Sequence, residues 1–458
     1  MFLDIDKKDK TKVAVIDDST SVITYGDICD FVAKFSEVLP SRTLIFILSK
    51  NCIGSLLGYV SSLCNRIVPL ILSSRTEKNL RDKYQPGYMW VPIEMVDELG
   101  YNRIYTSWGY ALIETGMKTP VLNEDLSLLL PTSGSTGSPK LVRHSYRNIE
   151  ANAENVKRLF GLTVDEKAMA ILPMHYTMGL SVITSHLWSG ATLLLSDRSL
   201  LDKEFWSMLK EATSFTGVPY SYEIMLKMRF TKMDLPNLKI ITQGGGKLTP
   251  EMFRILAKYA EDNGKKFIPT YGQSECTARM TYLPAELSMT KTCSIGIAEP
   301  GGQLSIIDSN GNETFEGEVT GEMVYRGENV TLGYAYNAGD LIKGDENHGV
   351  MYTGDLAYRD LDGCYFIVGR LKRFLKIFGL RIGLDEIELM VKSEFKTDCV
   401  CSGTDEMLTV NVTNENIVDK VISFIEEKTH LFHKNIEVIV VNAIERNEAG
   451  KVILHSKN

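Results

Sequence analysis

The chain has no long run of basic residues. With 50 Lys and Arg against 58 Asp and Glu its net charge is −8, so it lacks the cationic stripe that neutralises nucleic-acid phosphates, and no nucleic-acid partner is expected. It also lacks a segment able to span a bilayer. The longest apolar region, 56–72, is interrupted by Ser61, Ser62, Asn65 and Arg66, whereas a spanning helix needs about 20 predominantly apolar residues. Residues 1–10 are charged and lack the apolar centre of a signal peptide; the expectation is a cytoplasmic protein. None of the eight cysteines forms a C-x-x-C pair, which leaves buried, reduced thiols as the expected state. Cys399 and Cys401 stand two apart on a predicted strand and so point the same way. No internal repeat and no low-complexity linker occurs. The 458 residues are nevertheless too many for one core, so two or three lobes joined by short connections are expected.

Periodicity gives the class as α/β. Residues 12–17 and 21–25 read as a hairpin followed by a helical pattern through Val38. Residues 44–48, a helix over 52–63 and residues 67–72 then form a strand–helix–strand unit, which implies a parallel sheet. Ser145 is placed to cap a helix over 146–159, and 191–195 and 238–242 read as further buried strands. From 317 to 369 the texture changes to short alternating strands separated by Gly and Asp turns, the pattern of a small β lobe. Beyond Arg370 follow a helix over 385–392, strands near Cys399 and Leu408, a helix over 416–427 and a strand over 436–441. This stretch is long enough for a separate domain. The expected division is therefore 1–371, with an abbreviated first lobe, and 372–458.

Residues 128–140, LLLPTSGSTGSPK, carry the strongest chemical signal. An apolar run reads as a buried strand. Behind it Gly134 and Gly137 let backbone N–H groups approach an anion, Thr132, Ser133, Ser135 and Thr136 add hydroxyls, and Lys140 adds positive charge. The order differs from G-x-x-x-x-G-K-[ST], because Gly137 is followed by Ser138 and Pro139 and Lys140 by Leu141. Further along, TQGGGKL at 242–248 offers side-chain-free backbone at Gly244, Gly245 and Gly246, suited to a flat ring or to a plain strand-to-helix turn. In YTGDL at 352–356, Asp355 is a carboxylate able to accept from two ribose hydroxyls, and Arg370 can donate to ribose or phosphate. Taken without context, Lys372, Arg373 and Lys376 form a solvated basic turn.

These segments, with LPMHYTMGL at 172–180, TYGQSE at 270–275 and IERNEAGK at 444–451, occur in an order that resembles the adenylate-forming (AMP-binding) superfamily of acyl-CoA synthetases, luciferases and peptide-synthetase adenylation domains. The resemblance spans 128–451 and implies a large N-terminal domain with a mobile C-terminal one. It implies that Thr132, Ser133, Gly134, Ser135, Thr136, Gly137 and Lys140 hold phosphates. Gly244, Gly245, Gly246, Tyr271 and Gly272 would then contact adenine, Asp355 and Arg370 the ribose. Ser274 would donate to the α-phosphate and Glu275 would hold Mg²⁺. His175 or Tyr176 would stand beside the substrate carboxylate, with Gly179 and Gly246 in the acyl pocket. Arg279 follows in the same loop; a surface or structural ion pair is the favoured reading, with contact to an acidic substrate group the alternative. Lys372 would be the hinge, Lys376, Gly379 and Arg381 the face used in the second half-reaction, and Lys451 the lysine that enters the site for adenylation.

The implied reaction joins ATP, with Mg²⁺, to a small-molecule carboxylic acid, releasing pyrophosphate, and then passes the acyl group to coenzyme A or to the phosphopantetheine of an acyl carrier protein. No acid occurs in 175–183, where amino-acid-activating relatives keep an Asp for the α-ammonium, so an acid without a free α-amino group is favoured. Two other readings stay open: transfer to an amine or hydroxyl acceptor, and an inactive nucleotide-binding relative with a regulatory role.

Overall fold

The runs LIFILS and VPLILS, Leu44–Ser49 and Val68–Ser73, are buried along their whole length and pair in parallel. An unbroken apolar run signals a strand covered on both faces. The helix between them, Ile53–Cys64, is buried almost all round, and a helix with no polar side must lie between layers. In the computed structural model, which describes residues 1–73, 77–131, 140–371, 373–377, 380–404, 406–446 and 452, with only the backbone of 77, 376 and 381, it does so. The helix packs on its own sheet and against the strand Val13–Asp17 of a second sheet.

The first sheet has eight strands and the second nine. Between them the helices Tyr146–Phe160 and Thr177–Ser189 lie against each other, the former on the first sheet and the latter on the second. One apolar core runs through, from Ile45, Ile71 and Leu130 to Val15, Leu193 and Leu195. The expected hairpin, the strand–helix–strand unit and the Ser145 cap are all present; Ser145 and Asn148 cap reciprocally. In the second sheet Lys167–Ala170, Ser214–Gly217, Ile240–Gln243 and Lys266–Tyr271 run in parallel. Their carboxyl ends share one rim, the edge at which open α/β sheets bind ligands.

The β lobe differs in extent from the expected 317–369. It is a five-stranded antiparallel sheet that starts earlier, at Gly302–Ile307. A segment inside its span, Gly333–Ala335, leaves it to pair with Leu141–Ser145 of the first large sheet. The cause is Arg143, fully buried, whose guanidinium donates to the carbonyls of Leu332, Tyr334 and Gly344 and to Glu346.

The C-terminal part has a core of its own, built from Leu375, Ile387, Val410, Val421 and Ile425. Its helices are Leu384–Phe395 and Val418–Thr429, and its sheet pairs Cys399–Gly403, Leu408–Val412 and Ile436–Val440. Cys399 and Cys401 are both buried, and all eight cysteines are free thiols. Arg373 is no solvated turn residue. Its guanidinium is clamped by Asp385 and Glu388 and reaches Cys401 O at 3.2 Å, tying the start of this part to its first helix. Among the described residues no helix is long and apolar enough to cross a membrane.

Candidate functional site

The strand Lys266–Tyr271 ends in a loop that folds back on itself. Met280 N donates to Tyr271 O and Ala278 N to Gln273 O, and a Cβ on Gly272 would lie 1.6 Å from Ala278 O. Only glycine fits there. The return demands φ of 53° at Thr277 and 88° at Ala278, conformations that persist only where surroundings over-determine them. Asn329 supplies that restraint. Its side-chain amide donates to Cys276 O and Arg279 O, both at 2.9 Å, and its backbone carbonyl accepts from the Thr277 hydroxyl.

This loop joins two clusters. On one side the Tyr271 hydroxyl and Gln273 Nε2 donate to Asp355 Oδ2, and Arg370 Nε stands 3.2 Å from Asp355 Oδ1. Asp355 and Arg370 are register partners on adjacent strands of the β lobe, which explains how a buried carboxylate meets a largely exposed guanidinium. Burial first, and the Asp355 charge next, push the Tyr271 phenol well up, so it stays a donor. On the other side the Tyr334 hydroxyl donates to Glu275 Oε1 at 2.6 Å. Lys140 Nζ lies 3.4 Å from the centre of the Tyr334 ring, within cation–π range. Burial, then Glu275, push the Tyr334 phenol up as well.

Between the clusters the Thr177 hydroxyl donates to Ser274 Oγ at 2.7 Å. Thr177 begins the helix that follows His175 and Tyr176. His175 is buried with Nδ1 3.4 Å from Ser49 Oγ, and Tyr176 is the more open ring. Gly179 is buried in the same helix, packed on the Leu172 and Pro173 carbonyls. The glycine triplet follows strand Ile240–Gln243, with Gly244 buried under Met178 and Thr270, Gly245 at φ 76° and Gly246 exposed.

Arg279 departs from the ion-pair expectation. It is 1% exposed and donates to Ser181 Oγ at 2.7 Å, and burial brings its guanidinium down to about 10. Thr132, Ser133, Gly134, Ser135, Thr136, Gly137, Lys372, Gly379 and Lys451 lie outside the described residues, as do the side chains of Lys376 and Arg381. Sequence reasoning missed Tyr334, Gln273, Thr177 and Arg143. Tyr334 sits in a short GYA strand whose composition alone does not set it apart.

The residues present fit the groups the resemblance implies. No cluster of three or more His, Cys, Asp or Glu able to hold a metal occurs among the described residues. A lone carboxylate such as Glu275 suits Mg²⁺, which keeps waters and takes its other oxygens from phosphate. Asp355, already accepting from Tyr271 and Gln273 on one oxygen, retains acceptor capacity for a hydroxyl on the other.

The family model of AMP-binding enzymes matches residues 68–335. The chain is 30% identical over 277 residues to a probable CoA ligase of Humulus lupulus, covering 59% of this chain and 51% of the relative. It is 30% identical over 275 residues to an oxalate–CoA ligase of Arabidopsis thaliana, covering 58% and 52%. It thus spans about half the length of these curated relatives. Its fold is that of o-succinylbenzoate coenzyme A synthetase from Bacillus subtilis in complex with AMP (TM-score 0.79, 19% identity, 96% and 94% covered). The fold also matches ATP-bound MatB from Rhodopseudomonas palustris (TM-score 0.79, 19% identity, 98% and 96% covered).

Proposed function

Since this chain belongs to the AMP-binding enzymes, whose family model spans more than half of it, we propose that it is an AMP-forming ligase that activates a carboxylic acid with ATP and passes the acyl group to a thiol. One observation carries the reading: a single constrained loop, 271–279, binds a ribose-type carboxylate, Asp355, at one end and presents a metal-type carboxylate, Glu275, at the other.

The obstacle in the first half-reaction is charge, because an anionic carboxylate must approach an anionic phosphate. The carboxylate oxygen attacks the α-phosphorus, the bond from that phosphorus to the bridging oxygen breaks, and pyrophosphate leaves with the electron pair. Mg²⁺, when bound, neutralises phosphate oxygens. Glu275 is the residue to hold it, oriented by Tyr334. Ser274, fixed by Thr177, donates to the α-phosphate, and Lys140 and the hydroxyls of 132–136 carry the remaining charge. Tyr271 and Gly245 seat the adenine, while Asp355 and Arg370 hold the ribose, so that the acid meets phosphorus in line.

In the second half-reaction a thiolate attacks the acyl carbon, AMP leaves, and the thiol proton goes to solvent. We assign coenzyme A as the acceptor, in keeping with relatives named CoA ligases; a carrier protein is the second reading. The domain from 372 turns about Lys372, bringing Lys451 in for the first step and Lys376, Gly379 and Arg381 for the second. Its separate core supports this. So do its exposed contacts with the rest of the chain, the Lys396–Glu251 ion pair and the Arg446 guanidinium over Tyr220. The relatives' names range from oxalate to long-chain fatty acids, so they leave the acid to the pocket.

Pyrophosphate release with Mg-ATP and an acid panel, with and without coenzyme A, tests the reading. Lys451→Ala should lower adenylation about 1,000-fold, the scale of a lost transition-state charge contact, while still making thioester from supplied acyl-adenylate. Equal loss of both half-reactions would refute the two-position domain.

A further inference from the structure

Under the glycine triplet, between the strands Ser214–Gly217 and Ile240–Gln243 and the helices Tyr146–Phe160 and Thr177–Ser189, the protein encloses a narrow space lined by Thr216, Thr242, His186, Phe160 and Arg279. It is narrow, with a cavity volume of about 10 Å³. Three of the lining residues each hold a buried polar atom with no hydrogen-bond partner among the described residues: Arg279 Nε, His186 Nε2 and Thr242 Oγ1. Each such orphan destabilises the fold when nothing fills the space, and a charged one does so more. Natural proteins rarely leave several together.

The chemistry of the three atoms is specific. Arg279 brings a buried positive charge, and isolated buried charge is costly without an anion beside it. Glu299, the charge that acts on it most after burial, is itself pushed up to about 8 by burial, so it supplies little compensation at neutral pH. His186 Nδ1 lies 2.8 Å from Val182 O; as the donor there, it leaves Nε2 as an acceptor. Thr242 can donate. A carboxyl group sharing one proton with the imidazole satisfies all three.

Each wall of the space also runs to the reaction site. Thr242 leads into Gly244–Gly246. Arg279 closes the loop that carries Ser274. The helix holding His186 begins at Thr177, bonded to Ser274. Ser181, which anchors the Arg279 guanidinium, lies one helical turn beyond Thr177, about 6 Å along the axis. A chain of a few carbons spans that interval.

We propose that this space receives the far end of the acid, and that this end is a second carboxyl group: the substrate is a short dicarboxylic acid. The inference rests on the adenylation reading above, which it deepens. It is tested by kcat/KM for pyrophosphate release with malonate, succinate, glutarate and adipate, each set against the monoacid of equal carbon number, and with benzoate. One diacid should exceed its monoacid at least 100-fold, because a site built to hydrogen-bond a group rejects the analogue that lacks it. Arg279→Met should lower that diacid-to-monoacid ratio at least 100-fold, with Arg279→Lys restoring part of it. Thr242→Val, nearly isosteric, should lower it about tenfold and serves if the arginine variant fails to fold. Pyrophosphate release that favours monoacids, or a ratio unmoved by these substitutions, overturns the proposal and leaves the ligase reading standing. Silence of the wild-type protein with every acid, while ATP still binds, sinks the ligase reading and the inference together.

Discussion

The rim of the site and its floor are built on opposite principles. At the rim the polar groups find partners within the protein: Asp355 with Tyr271, Gln273 and Arg370, Glu275 with Tyr334, Ser274 with Thr177. On the floor Arg279, His186 and Thr242 are deeply buried yet keep an unmet atom each. A network already satisfied holds its geometry whether or not a ligand is present, which would suit the nucleotide of the proposed reaction. Unmet buried groups instead reward only the ligand that completes them, which suits selection among acids. On the proposed reading the two regions divide the labour between positioning and discrimination, and substitutions on either side should separate them.

Asp355→Asn should have the largest effect at the rim. It removes the charge that Arg370 faces and presents an amide where Tyr271 and Gln273 donate. A hydrogen bond to a charged group contributes about 1.5–3 kcal/mol, so kcat/KM for ATP should fall about 10- to 100-fold. The ranking of acids should stay as it is, and a changed ranking would mean that rim and floor are one unit. Tyr334→Phe should cost less, about tenfold in kcat, since the ring against Lys140 remains and only the hydroxyl on Glu275 is lost. A Mg²⁺ titration of pyrophosphate release checks it: the half-saturating concentration should rise, and an unchanged titration would deny Tyr334 any part in orienting Glu275.

The same contrast decides what could be read from sequence. The parallel core was legible because runs such as LIFILS state their burial outright. So was TYGQSE, where a glycine, a hydroxyl and a carboxylate stand within one loop. Tyr334 was not, because its place follows from the pairing of Gly333–Ala335 with Leu141–Ser145, a contact across most of the N-terminal part that Arg143 enforces from inside. The start of the β lobe at Gly302 was hidden for a like reason, its strand being defined by pairing with Val319–Gly327. Arg279 was noticed, yet its environment was misjudged. An arginine near a loop usually reaches solvent or an acid, and only the packing of two helices and a sheet around it makes it a buried cation, over the Phe160 ring and with no ion pair among the described residues.

Glu299 marks the boundary between the two regions and gives the subtlest prediction. Its Oε1 accepts from Asn155, Tyr325 and Asn329, the residue that restrains the 276–279 loop, while Oε2 is unmet. Burial pushes its carboxyl from 4.5 to about 8. Between those values the folded chain holds a proton that the unfolded chain has released, so stability falls as pH rises across that window, by up to about 1.4 kcal/mol per pH unit, and levels off above it. Glu299→Gln keeps an oxygen for the three donors and replaces the protonated oxygen with an amide, which removes the proton linkage. Denaturant unfolding at pH 5 and pH 8 should therefore show wild type losing on the order of a few kcal/mol relative to the variant. Parallel pH profiles would show that Glu299 stays ionised and compensates Arg279 from within, and the floor would then be as self-sufficient as the rim.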